Sequence, residues 1–100
     1  MKARIVVFAP EAHQDLRDLY DWIAGVATPG VALAYIERIE TFCRGLSHAA
    51  ERGRNRDDIR QGLRIVGFER RAAIAFAVNE TAVTILRVFH GGRDWENALH

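Results

Sequence analysis

The chain predicts an α+β domain of two layers, a helical hairpin laid on a mainly antiparallel sheet, in the order β-α-α-β-β-β. Three observations carry this. Two stretches with apolar residues at helical spacing stand side by side with only a short break between them. Three stretches of strand-like alternation then follow in succession, as a meander requires. The 100 residues, 49% of them hydrophobic, are enough for one modest core and so for one domain spanning 1–100.

The elements follow in order. Arg4 to Phe8 is a β-branched run bounded by Pro10 and reads as a strand. Pro10 suits the first position of a helix, where its missing N–H costs nothing. Ala12, Leu16, Leu19, Ile23 and Val26 then recur at helical spacing, with Gly25 near the end. "ATPG" breaks the pattern, and Thr28 can cap a second helix that has Pro29 at its first position. Ala32, Tyr35, Ile36, Ile39, Phe42, Cys43 and Leu46 mark its apolar face. So short a connection makes the pair an antiparallel hairpin.

Ser47 to Gly62 lacks an apolar period and reads as an arginine-rich surface loop. Leu63 to Phe68 is the first strand of the meander. Arg71 to Val78 is the second, its Ile74, Phe76 and Val78 alternating with Ala73, Ala75 and Ala77. That alanine face would let helices approach closely, although the pattern alone does not choose between the faces. Asn79–Glu80 suits a tight turn, Asn tolerating a positive φ. Thr81 to Phe89 is the third strand, with Val83, Ile85, Arg87 and Phe89 on one face and Thr84, Leu86 and Val88 on the other.

Charge is balanced in total, +1, but not in distribution. Lys2 is the only lysine; all other basic residues are arginines. Arg52, Arg54, Arg56, Arg60, Arg64, Arg70 and Arg71 face only Asp57, Asp58 and Glu69 in that stretch, whereas the first helix leans acidic. Arginine carries a planar fork suited to carboxylates and phosphates, so an acidic partner is expected. Asp15, Asp18 and Asp21 read as a solvated helix face. Arg64 and Arg87 interrupt apolar alternation away from strand ends, and read either as solvent-face residues or as a pair aimed at a ligand anion.

Several chemistries are excluded by composition. No apolar run approaches the roughly 20 residues of a membrane span, and the N-terminal apolar stretch is too short for a signal peptide. The single cysteine, Cys43, forbids an intrachain disulfide and suits a cytoplasmic protein. On an apolar helix face it reads as a small hydrophobe. His90-Gly91-Gly92 is reminiscent of an esterase oxyanion loop, yet the only serine, Ser47, has no nucleophile-elbow glycines. His13, His48, His90 and His100 show no metal-ligand spacing, and no glycine-rich phosphate loop follows a strand, so no metal and no cofactor are expected.

Four segments together carry a resemblance: "APEAHQDLRDLYDWIA" (Ala9–Ala24), "ALAYIERIE" (Ala32–Glu40), "ERGRNRDDIRQGLR" (Glu51–Arg64) and "ILRVFHGGRDW" (Ile85–Trp95). In series they resemble the ParE family of bacterial toxins, within the RelE/ParE superfamily. The closing segment is the most specific of them. One departure is Ala9, where the family commonly has a helix-capping serine; its loss costs about 1 kcal/mol of helix stability.

The resemblance implies the two-layer RelE/ParE fold and the toxin of a type II toxin–antitoxin module, inhibiting DNA gyrase and neutralised by a ParD-like antitoxin. It implies a stoichiometric binder rather than an enzyme. Neither sequence-specific nucleic-acid binding by this chain nor membrane contact is expected. The antitoxin contact is placed on Arg52, Arg54, Arg56, Arg60, Arg64 and Arg87, with Tyr20 and Trp22 as apolar walls. Two apart on one helix, Tyr20 and Trp22 do not both face the core easily. Toxicity is placed on the C-terminal His90, Arg93, Asp94 and Trp95. The alternative is a RelE-like ribosome-dependent mRNA endonuclease, in which Arg64, Arg87 and His90 would surround a scissile phosphate. The absence of any tyrosine beyond Tyr35 weighs against it.

Overall fold

A computed structural model describes residues 3–91 of the chain. Strand β1 (Ile5–Phe8) leads into α1 (Pro10–Val26) and α2 (Pro29–Gly45), followed by β2 (Arg54–Asn55), β3 (Leu63–Phe68), β4 (Ala72–Val78) and β5 (Ala82–His90). The helices start as their sequences dictate. Each has proline in its first turn, and the Thr28 hydroxyl accepts the Val31 N–H at 3.1 Å. Ala9 caps α1 with extended backbone but offers no side-chain acceptor.

The sheet order is β1-β5-β4-β3-β2. β1 lies parallel to β5, with Phe8 opposite Ile85, and all other pairs are antiparallel. The helical hairpin carries the chain from β1 at one edge to β2 at the other, and the antiparallel meander then returns across the sheet to set β5 parallel beside β1. Ser47 fastens this crossover: its hydroxyl donates to the Arg4 carbonyl at 2.6 Å, and its own carbonyl accepts the Arg4 N–H at 3.1 Å.

The helical hairpin covers one face of the sheet. Ala12, Leu16, Leu19 and Ile23 of α1 and Tyr35, Ile36, Ile39 and Cys43 of α2 pack on Ile74, Phe76, Val83, Ile85 and Val88. The helices therefore rest on the large residues of β4. The alanine face, which the pattern alone left as an alternative, points the other way, where Ala75 joins Leu63, Ile65 and Phe89 in a second cluster. Bulky side chains on the covered face bury more apolar area than alanines could, so they decide the sidedness.

Three further differences from the sequence reading have local causes. The arginine-rich loop is not wholly irregular: Arg54 and Asn55 pair with Ile65 and Arg64, adding a fifth strand. Alternation along β5 is broken by a bulge, with Ile85 opposite Phe76 but Arg87 opposite Ala75, so that Leu86 is the extra residue. Val88 therefore shares the helix-side face with Ile85, and Phe89 lies on the reverse face. The β4–β5 turn uses the side chain of Asn79 rather than a positive φ. Its Oδ1 accepts the N–H groups of Thr81 and Ala82 at 2.9 and 2.8 Å.

Candidate functional site

Two concave regions flank the helical hairpin. The first is a groove of about 570 Å³ between α2 and the end of β3, lined by Ala34, Glu37, Arg38, Thr41, Phe42, Phe68 and Glu69. Positions 34, 38, 41, 42 and 45 share one helix face, so the stripe follows from helical periodicity. A recess of about 220 Å³ adds Gly45, Leu46 and Arg52 beside Thr41 and Phe42. The groove floor is aromatic, with Phe42 and Phe68 ring centroids 5.2 Å apart and Tyr35 6.0 Å from Phe68. Its rim is charged. Arg38 donates from Nε and Nη2 to both carboxylate oxygens of Glu69, at 2.9 and 3.0 Å, and lies 5.1 Å over the Tyr35 ring. The hydrogen bonds from Arg38 hold the Glu69 carboxyl below its ordinary pKa. Burial, reinforced by Glu69, pushes the Tyr35 phenol up. Arg52 sits 5.8 Å over Phe42.

The second region is a cleft of about 550 Å³ lined by Asp15, Asp18, Leu19, Trp22, Arg70, Arg71, Val88, His90 and Gly91. Its walls come from the outer half of α1, the β3–β4 turn and the end of β5. Trp22 is 56% exposed, and its ring lies 5.4 Å from that of His90. His90 also meets the edge of Tyr35 at 5.9 Å. Burial, with the Arg71 charge behind it, lowers the His90 pKa below the usual imidazole value.

Beside this cleft, Asp15 departs from the solvated role expected of it. Its side chain is 8% exposed, and its Oδ2 accepts both Arg87 Nε at 2.8 Å and the Val88 N–H at 2.9 Å. Oδ1 accepts Arg87 Nη2 at 3.0 Å. The reason is topological. β1 stops opposite Ile85, so among the described residues the outer edge of β5 beyond that point has no neighbouring strand, and Asp15 supplies the acceptor.

The structure sorts the predicted contact residues into two groups. Arg64 holds the loop in place, donating from Nε to the Arg52 carbonyl at 2.9 Å and from Nη2 to those of Glu51 and Gly53. Gly53 must be glycine there, because a Cβ would lie 2.2 Å from the Ile65 carbonyl oxygen. Arg56 makes a bidentate pair with Asp58 at 2.8 and 2.7 Å. With Arg87 on Asp15, three of the six predicted arginines spend their forks within the chain. Arg52, Arg54 and Arg60 are exposed on the loop. Tyr20 is half-buried against the helix-side core while Trp22 is exposed, so the pair divides as its spacing required. Arg93, Asp94 and Trp95 lie outside the described residues.

Arg38, Phe42, Phe68 and Glu69 of the groove and Arg70 and Arg71 of the cleft were not among the sequence candidates. One signal was available for the last three: "ERR" between two strands, a turn without glycine or asparagine. Among the described residues no group of three or more His, Cys, Asp or Glu is placed to hold a metal ion, and no helix is long and apolar enough to cross a membrane.

Comparison with known proteins agrees with this architecture. The family profile described as ParE toxin of type II toxin-antitoxin system, parDE, matches residues 6–95. A chain of the chromosomal ParDE toxin–antitoxin system from P. aeruginosa superposes with a TM-score of 0.77 at 24% identity, over 89% of this chain and 97% of that one. A chain of the toxin–antitoxin complex RelBE2 from Mycobacterium tuberculosis gives a TM-score of 0.62 at 24% identity, over 93% and 97%. A search of curated protein sequences gave no match. With the profile spanning nearly the whole chain and the fold shared, this protein belongs to the ParE toxin family of type II toxin–antitoxin systems.

Proposed function

We propose that the chain is neutralised by a ParD-like antitoxin whose amphipathic helix lies in the α2–β3 groove, and that the free toxin inhibits DNA gyrase stoichiometrically. The observation that carries the antitoxin reading is the groove itself. It offers an aromatic floor of Phe42 and Phe68 with the exposed Arg52 at one end, which fits a helix with one apolar stripe and an acidic residue beside it. Exposed Arg52, Arg54 and Arg60 extend the basic rim along the loop. Relatives of this fold occur in toxin–antitoxin complexes, which supports the same kind of partner here.

The gyrase reading rests on family membership. The nuclease alternative is weakened by geometry, since Arg64 is clamped to loop carbonyls and Arg87 to Asp15 rather than converging with His90. A paired assay tests the proposal. Purified toxin is added to gyrase with relaxed plasmid, and separately to translating ribosomes with mRNA. Loss of supercoiling with intact mRNA is expected; codon-linked mRNA cleavage with unaffected gyrase overturns it.

A further inference from the structure

The α1–β5 cleft holds two arginines that the fold leaves uncommitted. Arg38, Arg56, Arg64 and Arg87 are each held by at least two hydrogen bonds. Arg70 and Arg71, adjacent on the β3–β4 turn, make no side-chain hydrogen bond or ion pair among the described residues, yet both line the cleft. Their display is costly. Glu69 and Arg70 both have left-handed backbone, with φ of 50° and 63°, where non-glycine residues carry strain of about 1–2 kcal/mol each. The turn closes through the Arg71 N–H on the Phe68 carbonyl at 3.2 Å, and the Arg38–Glu69 pair fastens it to α2. A tight hairpin between twisted strands requires this backbone at both central residues, and it sets Arg70 and Arg71 at the cleft.

The rest of the cleft defines what would satisfy those guanidinia. Leu19 and Val88 are apolar and buried, and Trp22 presents an exposed ring. Asp15 is already neutralised by Arg87. Among the described residues the two guanidinia therefore share the cleft with one other carboxylate, Asp18, whose Oδ1 accepts the Gln14 amide at 2.7 Å. Burial lowers the His90 pKa and so disfavours a charge on the imidazole. A polyphosphate chain would meet Asp18 and too little positive charge for its length. A single carboxylate joined to an apolar group meets a fork, an aromatic wall and an acceptor for its own N–H donor.

We infer that this cleft is a docking site for an acidic side chain of a protein partner, the carboxylate held by Arg70 and Arg71 and the adjoining apolar residue packed against Trp22 and His90. The site is separate from the α2–β3 groove, so it stands whether or not the antitoxin occupies that groove.

The test is an NMR titration of labelled full-length protein with the blocked dipeptide N-acetyl-Glu-Leu-amide, following the Trp22 indole and His90 imidazole signals. Saturable shifts are expected, at least tenfold weaker with the Gln-Leu isostere and at least tenfold weaker in R70A/R71A. R70K/R71K, which keeps the charge but loses the fork, falls between, and unchanged core amide signals show that each variant is folded. D18N tightens binding two- to fivefold. Equal affinity for the neutral isostere, or unchanged binding in R70A/R71A, overturns the inference. So does tighter binding of hexauridylate, which would make this a nucleic-acid site, or of inorganic phosphate. Tenfold tighter binding in D94N/E96Q would assign the cleft to the chain's own C-terminal residues, and would overturn it as well.

Discussion

Replacing Asp15 with alanine removes one carboxylate that accepts three hydrogen bonds, two from Arg87 and one from the Val88 N–H. Stranding one partner of a fully buried ion pair costs about 3–5 kcal/mol. The Arg87 side chain is 25% exposed, so water rehydrates part of its charge and the loss falls to about 2 kcal/mol. The orphaned Val88 N–H adds about 1 kcal/mol. The total, about 3 kcal/mol, lowers the Tm of a domain this size by about 12–24 °C. Urea unfolding should show the midpoint falling at constant slope, because the surface exposed on unfolding is unchanged. Asp15→Asn retains an acceptor for Val88 and should lose less. Asp15→Ala and Arg87→Ala should be non-additive, with a coupling of about 1–3 kcal/mol. Additive losses, or an Asp15→Ala cost below about 1 kcal/mol, would refute the claim that this pair closes the unpaired edge of β5.

Four further outcomes are expected. Ala9→Ser supplies the missing cap of α1 and should raise stability by about 0.5–1 kcal/mol in urea unfolding. Arg70→Gly relieves the left-handed backbone and should stabilise the fold by about 1 kcal/mol while weakening dipeptide binding in the cleft, a trade visible by running both assays on one variant. His90, which faces Arg71, Trp22 and Tyr35, has its pKa lowered from 6.5, so the unfolded chain takes up its proton first. Stability from this group is complete above that value and is lost as pH falls through the folded pKa; melts of wild type and His90→Gln should change their separation only below it. Burial pushes the Cys43 thiol up to about 12, so it should resist a thiol reagent at pH 8 in the native state and react at once in denaturant.

The helices were legible because their signals are local. Pro10 and Pro29, the Thr28 cap and the apolar stripes act within one turn or one face, and the structure follows them closely. Val26 is the exception, 67% exposed at the last residue of α1. The strands were legible as strands, but not their sidedness. Which face of β4 meets the helices depends on the sum of areas buried across the sheet, and the Leu86 bulge alters the alternation of β5 without any glycine or proline to announce it. β2 was missed because two residues carry no period, and its pairing depends on Arg64 holding carbonyls 12 or so positions away.

The candidate sites show a sharper limit, and arginine is where it appears. Counting guanidinia along the sequence measures how much positive charge a chain carries, not how much it can offer. A guanidinium next to unpaired carbonyls or a buried carboxylate will satisfy them first, because an unpaired buried acceptor costs more than a solvated cation gains. Arg64 has three loop carbonyls within reach, and Arg87 has Asp15, both set by contacts remote in sequence. Arg70 and Arg71 sit on a turn whose own carboxylate, Glu69, is taken by Arg38 from α2. That one pairing leaves their charge available, and it joins residues 31 positions apart. Arg70 and Arg71 are therefore available because their local acidic neighbour has been drawn away by another element, a property that no window of the sequence contains.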